Sequence, residues 1–278
     1  MPRWIIDTPT SLTFDGVVAL RIRLVSGSVA VLAGQDTPRL DIESVSGQPL
    51  LVTHEAGILT ISYEDMTWDG LLGWLRPQRH YATIAVTVQH DCPLQLGVVN
   101  ATAIVSGMTA RTSFKSVSGG LTIDGVTGNL DANTVSGYLE AQNVDGEVSF
   151  KTVSGDLTIA GGSLARLDAK TVNGKITADV DLAPAALVQA ATVSGDVAVR
   201  LPATASTRVD MRSTSGRVET AFDGLDGDRK PGATSVAGTL GAGDGKLSLA
   251  TISGAVTLLR RNPPAGQQRS RVGTEEAL

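Results

Sequence analysis

Apolar and polar side chains alternate along this chain in units of nine residues. From Arg111 to Gly155 the sequence runs through five consecutive units, RTSFKSVSG, GLTIDGVTG, NLDANTVSG, YLEAQNVDG and EVSFKTVSG. Positions 2 and 4 are usually apolar, position 7 is valine and position 9 is glycine. Alternation with a period of two is typical of a β-strand with one buried face. Each unit is therefore predicted to contain a short strand that ends at a turn.

Related units recur outside this block, at residues 19–27, 39–47, 166–174, 187–195, 208–216 and 246–254. The glycines that close alternate units are separated by 18, 18, 19, 21 and 21 residues, and they are Gly119, Gly137, Gly155, Gly174, Gly195 and Gly216. Two nine-residue halves per turn are typical of a β-solenoid, whose coils stack about 4.8 Å apart. We predict an all-β fold, a parallel β-helix (β-solenoid) with coils of about 18–21 residues.

The parity of the apolar positions leads to a prediction about the interior. Positions 2 and 4 share one face of a strand, whereas position 7 has the opposite parity. If position 7 also faces the core, the backbone bends before it, and Val117, Val135 and Val153 form an interior column. Ala132 and Phe150 are expected to share another column. The closing glycine is expected where positive φ or close backbone approach excludes a Cβ atom.

A β-sandwich or an antiparallel meander is the alternative fold, because Ser-Gly, Asp-Gly and Asn-Gly also occur in hairpin turns. Parity favours the solenoid, since a straight strand would send its apolar residues to both faces. Residues 1–110 are predicted to form the N-terminal part of the solenoid, with a cap and an insertion at 64–80. Residues 111–259 form the repeat solenoid. Residues 260–278, which contain two consecutive prolines and few large apolar side chains, are predicted to be a disordered tail.

Composition and charge narrow the classes of function. The chain has 31 glycines, 4% aromatic residues and 18% charged residues, against about 25% charged in typical domains. The net charge of −5 disfavours a general nucleic-acid binder and membrane association, since both need clustered Lys and Arg. A local basic patch remains open. The expected partner is an unidentified protein or a second copy of the chain.

The N-terminus and the cysteine content indicate a compartment. The N-terminal segment has only two isoleucines, Ile5 and Ile6, before the charged Asp7. This apolar stretch is too short for a secretory signal, so we expect a cytoplasmic location. The single cysteine, Cys92, cannot form an internal disulfide, in agreement with a reducing compartment. Residues 92–110 carry no charge, but their glycines and polar side chains favour buried strands over a membrane span.

Several segments resemble one bacterial family. They are the repeated Val-Ser-Gly units, the opening WIIDTPTSLTFDG, the stretch VTHEAGILTISYED and the insertion WDGLLGWL. Together they are similar to the family known as domain of unknown function 4097, which is related to adhesin-like and toastrack β-solenoid domains, and they look actinobacterial. The resemblance extends over nearly all of residues 4–260. It implies a right-handed single-stranded β-helix, no established enzymatic activity, and a sensing or interaction role in envelope-stress or surface-associated systems.

The insertion is the candidate docking site. Its apolar residues recur at helical spacing, with one further tryptophan, and they are Trp68, Leu71, Leu72, Trp74 and Leu75. One hypothesis makes them a docking surface for a partner or a membrane, with Trp74 as an additional anchor. The other makes them a lid over the open end of the solenoid, since repeat arrays need atypical capping segments.

The sequence contains no recognisable catalytic or metal-binding pattern. His54, His80 and His90 lack the spacing of metal ligands. Cys92 follows His90 and Asp91, but neighbours on a strand point to opposite faces, so no catalytic relay is implied. The Val-Ser-Gly serines indicate turn chemistry, and the paired glycines of calcium-binding β-rolls are missing. We expect no catalytic residue, no metal and no cofactor.

The leading functional hypothesis is a non-enzymatic interaction or scaffold protein, because a repeat array offers long surfaces and no acid, base and nucleophile are grouped. A carbohydrate-active β-helix enzyme is an alternative that rests on fold analogy. The ten aromatic residues leave few platforms for sugar stacking. An adhesin-like surface protein is the third hypothesis, and the expected lack of an export signal disfavours it.

Overall fold

The computed structural model describes residues 2–64, 80–230 and 232–262, which form strands and turns without helix. Within these ranges no helix has the length and apolar character needed to cross a membrane. The predicted all-β class with parallel strands is confirmed. The strands, in chain order, are β1 (Arg3–Ile6), β2 (Thr10–Thr13), β3 (Ala19–Ala33), β4 (Arg39–Gly47), β5 (Leu50–Glu55), β6 (Ile58–Tyr63), β7 (His80–Val88), β8 (Leu94–Ser106), β9 (Thr112–Ser116), β10 (Leu121–Asp124), β11 (Thr127–Thr134), β12 (Leu139–Gln142), β13 (Asp145–Lys151), β14 (Leu157–Lys170), β15 (Ile176–Ser194), β16 (Val197–Pro202), β17 (Thr207–Ser213), β18 (Val218–Thr220), β19 (Leu225–Lys230), β20 (Ala233–Leu240), β21 (Gly245–Ser253) and β22 (Val256–Arg261).

The strands form two long ladders. Ladder A contains, in spatial order, β2, β4, β7, the second halves of β3 and β8, β10, β12, the first halves of β14 and β15, β16, β22 and β18. Ladder B contains β1, β5, β6, the first halves of β3 and β8, β9, β11, β13, the second halves of β14 and β15, β21, β17, β20 and β19. Both ladders share one cluster of buried apolar side chains. Ala132 and Phe150 lie opposite each other and are buried, as predicted.

The register of the parallel strands reproduces the spacing of the repeat. On ladder A, Leu121 pairs with Leu139, which pairs with Leu157, which pairs with Ile176, which pairs with Val197. All five side chains are fully buried. Each coil therefore adds one residue to a continuous apolar column, which is why the apolar positions recur at the coil length.

Antiparallel strands extend the parallel stack on both ladders at its N-terminal end and on ladder B at its other end, where ladder A ends with the parallel pair β22 and β18. At the N-terminal end, β4 pairs antiparallel with β2 and β7, and β5 pairs antiparallel with β1 and β6. At the other end, β20 pairs antiparallel with β17 and β19. These strands cover edges that would otherwise present unpaired N–H and C=O groups to other chains.

The last coils do not stack in the order in which they occur along the chain. The 21-residue spacing of the glycines predicts that residues 208–216 stack directly on residues 187–195. Instead, Leu187 lies opposite Lys246, and Lys246 lies opposite Arg208. Strand β21 thus lies between β15 and β17, and β22 lies between β16 and β18. The C-terminal coil is inserted into the stack, because the chain leaves a gap after β16 that a later segment fills.

Position 7 of the repeat behaves differently on the two ladders. On the ladder A side, Val126 and Val144 are fully buried. On the ladder B side, Val117, Val135 and Val153 are 37%, 49% and 50% exposed. The prediction that these three valines line the interior is therefore wrong. They do form a column, but it lies on the outside of the molecule.

The residue at position 6 decides which way position 7 points. Gly125 and Asn143 precede the buried valines and have φ values of 63° and 52°, so the backbone turns before position 7. Ser116 and Thr134 precede exposed valines, remain within strands β9 and β11, and are buried themselves. Because position 6 shares its parity with positions 2 and 4, a straight strand buries positions 2, 4 and 6 and exposes position 7.

The buried hydroxyl at position 6 also forms the corner of the coil. The N–H of Gly119 donates to Oγ of Ser116 at 2.6 Å, and the N–H of Gly137 donates to Oγ1 of Thr134 at 2.9 Å. A Cβ atom on Gly137 would lie 2.1 Å from the carbonyl oxygen of Gly119. At these corners the glycine is required by the close approach of the neighbouring coil and not by positive φ.

Candidate interaction surface

The exposed position-7 residues form a continuous row along one corner of ladder B. The N–H of Ser136 donates to the carbonyl of Val117, and the N–H of Ser154 donates to that of Val135, each at 2.8 Å. The same bond joins successive coils up to β21. Stacking at about 4.8 Å makes this row about 24 Å long. We call it the valine ridge, and its residues, 37–52% exposed, are Val117, Val135, Val153, Val172, Val193 and Ile252.

The outward positions of ladder B beside the ridge carry a concentration of positive charge. We call them the basic face and define it as positions 1, 3 and 5 of the coils from β3 to β17. The face holds ten Lys or Arg residues against four Asp or Glu, a net charge of +6 in a chain of net charge −5. The cations are Arg21, Arg23, Arg111, Lys115, Lys151, Arg166, Lys170, Arg208, Arg212 and Lys246.

The outer face of ladder A has the opposite character. Counted over the same positions 1, 3 and 5 of the coils from β3 to β18, it holds six Asp or Glu residues against three Lys or Arg, and its neutral outward residues are mainly Thr, Ser and Ala. The acidic residues are Asp124, Glu140, Asp156, Asp179, Asp196 and Glu219, and the cations are Lys175, Arg200 and Arg217. Charge is therefore segregated between the two walls, and the local basic patch left open by the composition lies on ladder B.

Only part of the basic face is neutralised by its own carboxylates. Asp131 pairs with Arg111 at 2.5 Å, and Asp168 pairs with Lys170 at 2.9 Å. Exposed pairs of this kind contribute little stability and are screened by salt. Among the described residues, six cations of the face have no ion pair, and they are Arg21, Arg23, Lys115, Arg166, Arg208 and Lys246.

Two open depressions lie on the basic face. One has a volume of about 270 Å³ and crosses β3, β8 and β9 between Arg21, Arg23 and Lys115. The other has a volume of about 300 Å³ and crosses β14, β15 and β21 between Arg166 and Lys246. Cations line both depressions, and Asp168 also lines the second. This wall therefore offers recessed contact points for a negatively charged partner, with the first depression free of carboxylates.

The histidines and Cys92 lie apart from this surface. His54 and His80 pack against aromatic rings at centroid distances of 5.8 and 4.7 Å. Nδ1 of His90 lies 2.7 Å from the carbonyl oxygen of Gly107. In the part of the chain that the structure describes, no group of three His, Cys, Asp or Glu residues is arranged to hold a metal ion.

Cys92 is 2% exposed, and burial, together with the neighbouring Asp91, raises the pKa of its thiol to about 11. The thiolate is the reactive form of cysteine. We expect iodoacetamide at pH 8 to alkylate Cys92 about 100-fold more slowly in the folded protein than in urea, since two pKa units change the thiolate fraction by that factor. Mass spectrometry of timed samples measures both rates. Equal rates would contradict the assignment of a buried, protonated thiol.

The candidate docking residues of the insertion, Trp68, Leu71, Leu72, Trp74 and Leu75, lie outside the described residues. The docking and lid hypotheses therefore stay predictions. Sequence reasoning missed the valine ridge and the basic face. The sequence contained a signal for each. The Ser or Thr at position 6 indicates the ridge, and the Lys and Arg at positions 1 and 5 of alternate units indicate the basic face.

Comparisons with known proteins give one family and several solved structures. The sequence model of the family described as Toastrack DUF4097 matches residues 109–259. The solved structures include a candidate cell adhesion protein from Clostridium sporogenes, with 9% identity, 91% of this chain and 100% of that chain covered, and a TM-score of 0.24. They also include candidate adhesins from Parabacteroides distasonis (12% identity, 91% and 96% covered, TM-score 0.39) and Parabacteroides merdae (14%, 92% and 96%, 0.36). No curated protein sequence matched the chain.

Proposed function

Since the chain belongs to the Toastrack DUF4097 family, whose match spans residues 109–259, we propose that it is a non-enzymatic interaction protein that binds a protein partner along the valine ridge. The observation that carries this proposal is the ridge itself. Six aliphatic side chains at one corner are exposed in succession beside a face of net charge +6. Contiguous apolar surface next to polar surface is typical of a protein contact site.

The proposed scaffold is a right-handed β-solenoid whose coils of 18–21 residues present the ridge as a straight line. Parallel pairing between strands one coil apart supports this architecture. Its handedness follows the general preference for right-handed crossovers between parallel strands. A rigid row with a fixed spacing of about 4.8 Å binds with little loss of conformational freedom.

The chemistry of the surface defines the partner. A partner that covers the ridge presents an apolar strip, and one that also covers the basic face presents carboxylates beside that strip. The outward positions of the basic face contain no aromatic side chain, so stacking on sugars or bases has no platform there. This pattern supports an acidic protein partner over a carbohydrate. Envelope-stress or surface-associated signalling is the setting that the family resemblance implies for such a partner.

Replacing four ridge residues by threonine, as V135T, V153T, V172T and V193T, tests the proposal. Threonine keeps the β-branched shape, so the free energy of unfolding is expected to change by about 0.5 kcal/mol or less per site. Loss of four buried methyl groups at about 0.8 kcal/mol each is expected to weaken partner binding by more than about 100-fold. Cross-linking in a lysate of the source organism, followed by mass spectrometry, identifies the partner, and titration gives its Kd.

The control places threonine at exposed aliphatic residues outside the ridge, as V18T and I104T. V18T makes the same change as the ridge substitutions, and I104T removes one carbon more. Both residues are at least as exposed as the ridge valines, at 62% and 52%. The control variant is expected to bind like the unmodified protein. If both variants lose the partner to the same extent, or neither does, the ridge is not the binding surface.

A further inference from the structure

The residues around the depression across β3, β8 and β9 lie in two regular rows. Arg21 and Arg23 are two residues apart on β3, so both side chains point outwards. The register continues directly from β3 to β8 and from β8 to β9. Three positions in each of two rows thus surround the depression. The rows contain Arg21, Gln95 and Ser113, and Arg23, Gly97 and Lys115.

Gly97 creates the space between the two cations of the second row. In the other coils from β3 to β17 the equivalent position carries a side chain. Gly97 is not among the glycines with positive φ, and β8 pairs through it without a register shift. Neither a turn nor a bulge therefore requires glycine here. Glycine inside a strand often marks a site where a ligand or another backbone approaches closely.

The groups around this space are hydrogen-bond donors with an excess of positive charge. Arg21, Arg23 and Lys115 contribute three cations, and Gln95 and Ser113 add an amide and a hydroxyl. No ion pair with these three cations is found among the residues that the structure describes. A single carboxylate would balance one of the three charges, whereas a phosphate dianion balances two. The tetrahedral oxygens of phosphate also suit the planar donor fork of arginine.

We propose that this depression binds a phosphoryl group, with Arg21, Arg23 and Lys115 as its ligands and Gly97 as the gap that admits it. The site goes beyond the protein-binding role of the valine ridge and does not depend on it. The group arrives either on a soluble phosphate ester or on a lipid headgroup, since both present the same oxyanion. Binding involves charge-assisted hydrogen bonds and no covalent step.

The full chain is titrated with glycerol phosphate, and its thermal stability and the heat of binding are measured. Titrations with glycerol and with sodium chloride at matched ionic strength are the controls. A saturable effect of glycerol phosphate alone is expected. In the double variant R23Q/K115Q, the Kd is expected to rise by about 100-fold, because each charge-assisted contact is worth about a tenfold change. The control variant K151Q/K170Q removes two cations of the same face outside the depression, and its Kd is expected to stay within about twofold.

Vesicles of phosphatidylcholine, with and without phosphatidic acid, distinguish the two sources. The group is assigned to a lipid if the protein binds phosphatidic acid vesicles, R23Q/K115Q abolishes this binding, and glycerol phosphate shows no saturable binding. Binding of glycerol phosphate without vesicle binding assigns it to a soluble ester. Equal losses in R23Q/K115Q and K151Q/K170Q, or no response to either phosphate probe beyond the salt control, would overturn the proposal.

Discussion

Truncation of the chain after Leu240 is expected to give a protein that does not fold. The truncation removes β21 and β22, which fill the gap between β15–β16 and β17–β18. It deletes four fully buried side chains, Leu247, Leu249, Val256 and Leu258. At about 1.5–3 kcal/mol each, their burial is comparable with the whole stability of a domain, about 5–15 kcal/mol. Circular dichroism and size-exclusion chromatography are expected to show loss of the cooperative transition and aggregation.

Truncation after Asn262 is the control, since it leaves β21 and β22 intact and removes only residues 263–278. This variant is expected to unfold at the same denaturant concentration as the full chain. If the shorter truncation product after Leu240 unfolds cooperatively with an unchanged midpoint, β21 and β22 do not hold the stack together.

Ion pairs reinforce the attachment of the inserted coil. A guanidinium nitrogen of Arg261, at the end of β22, lies 3.3 Å from Asp179 on β15, and Arg261 also contacts Asp181. The hydrogen bond from Arg200 holds the pKa of Asp179 below its usual value, because its effect is larger than that of burial, which raises the pKa. Because folding lowers this pKa, the ionised carboxylate stabilises the folded protein at pH values above the ordinary pKa of aspartate. This stabilisation is lost as the pH falls through the lowered pKa. The last coil is therefore expected to be weakest in acid.

Replacement of Gly155 by alanine is expected to destabilise the protein by about 3 kcal/mol or more, a decrease in Tm of about 6–12 °C. A Cβ atom at this corner would lie 1.9 Å from the carbonyl oxygen of Gly137. The obstructing atom belongs to the backbone of the neighbouring coil, so no side chain can rotate to relieve the clash. The two coils must move apart, which lengthens the hydrogen bonds between them. Urea unfolding followed by circular dichroism measures the effect.

Gly227→Ala provides the control for this prediction. Gly227 lies in β19, its φ is not positive, and a Cβ atom there would meet only Cγ2 of Val236 at 3.8 Å, an ordinary contact. Its substitution is expected to change the free energy of unfolding by less than about 0.5 kcal/mol. Similar effects of the two substitutions would contradict the assignment of Gly155 to a sterically closed corner.

The sequence predicted the all-β class with parallel strands correctly, and the repeat spacing matches the offset between paired strands from β10 to β16. Both depend on which positions are apolar and on where glycine recurs. It did not predict the direction of the position-7 valines correctly. From parity, all nine-residue units were expected to bend alike. In fact Gly125 bends its unit through positive φ, whereas Thr134 continues its strand and buries its own side chain. A comparison of position 6 between alternate units would have separated these two cases.

The candidate surface was accessible from the sequence only in part. A net charge of −5 concealed a face of net charge +6, because composition averages over two walls of opposite character. Arg23 and Lys115 are 92 residues apart in the chain, yet one strand separates them in the sheet. Their proximity follows from the pairing of β3 with β8, which the regular spacing of the later glycines does not indicate.

The amino-acid sequence by itself determined which side chains of each short strand face the core and where each coil turns, because alternation and glycine placement are properties of consecutive residues. Only the tertiary structure decided which strands become neighbours. All coils share nearly the same apolar pattern, so each fits against several others. The choice between them depends on contacts between distant segments, and it places the C-terminal coil inside the stack and aligns the exposed valines and cations into continuous rows.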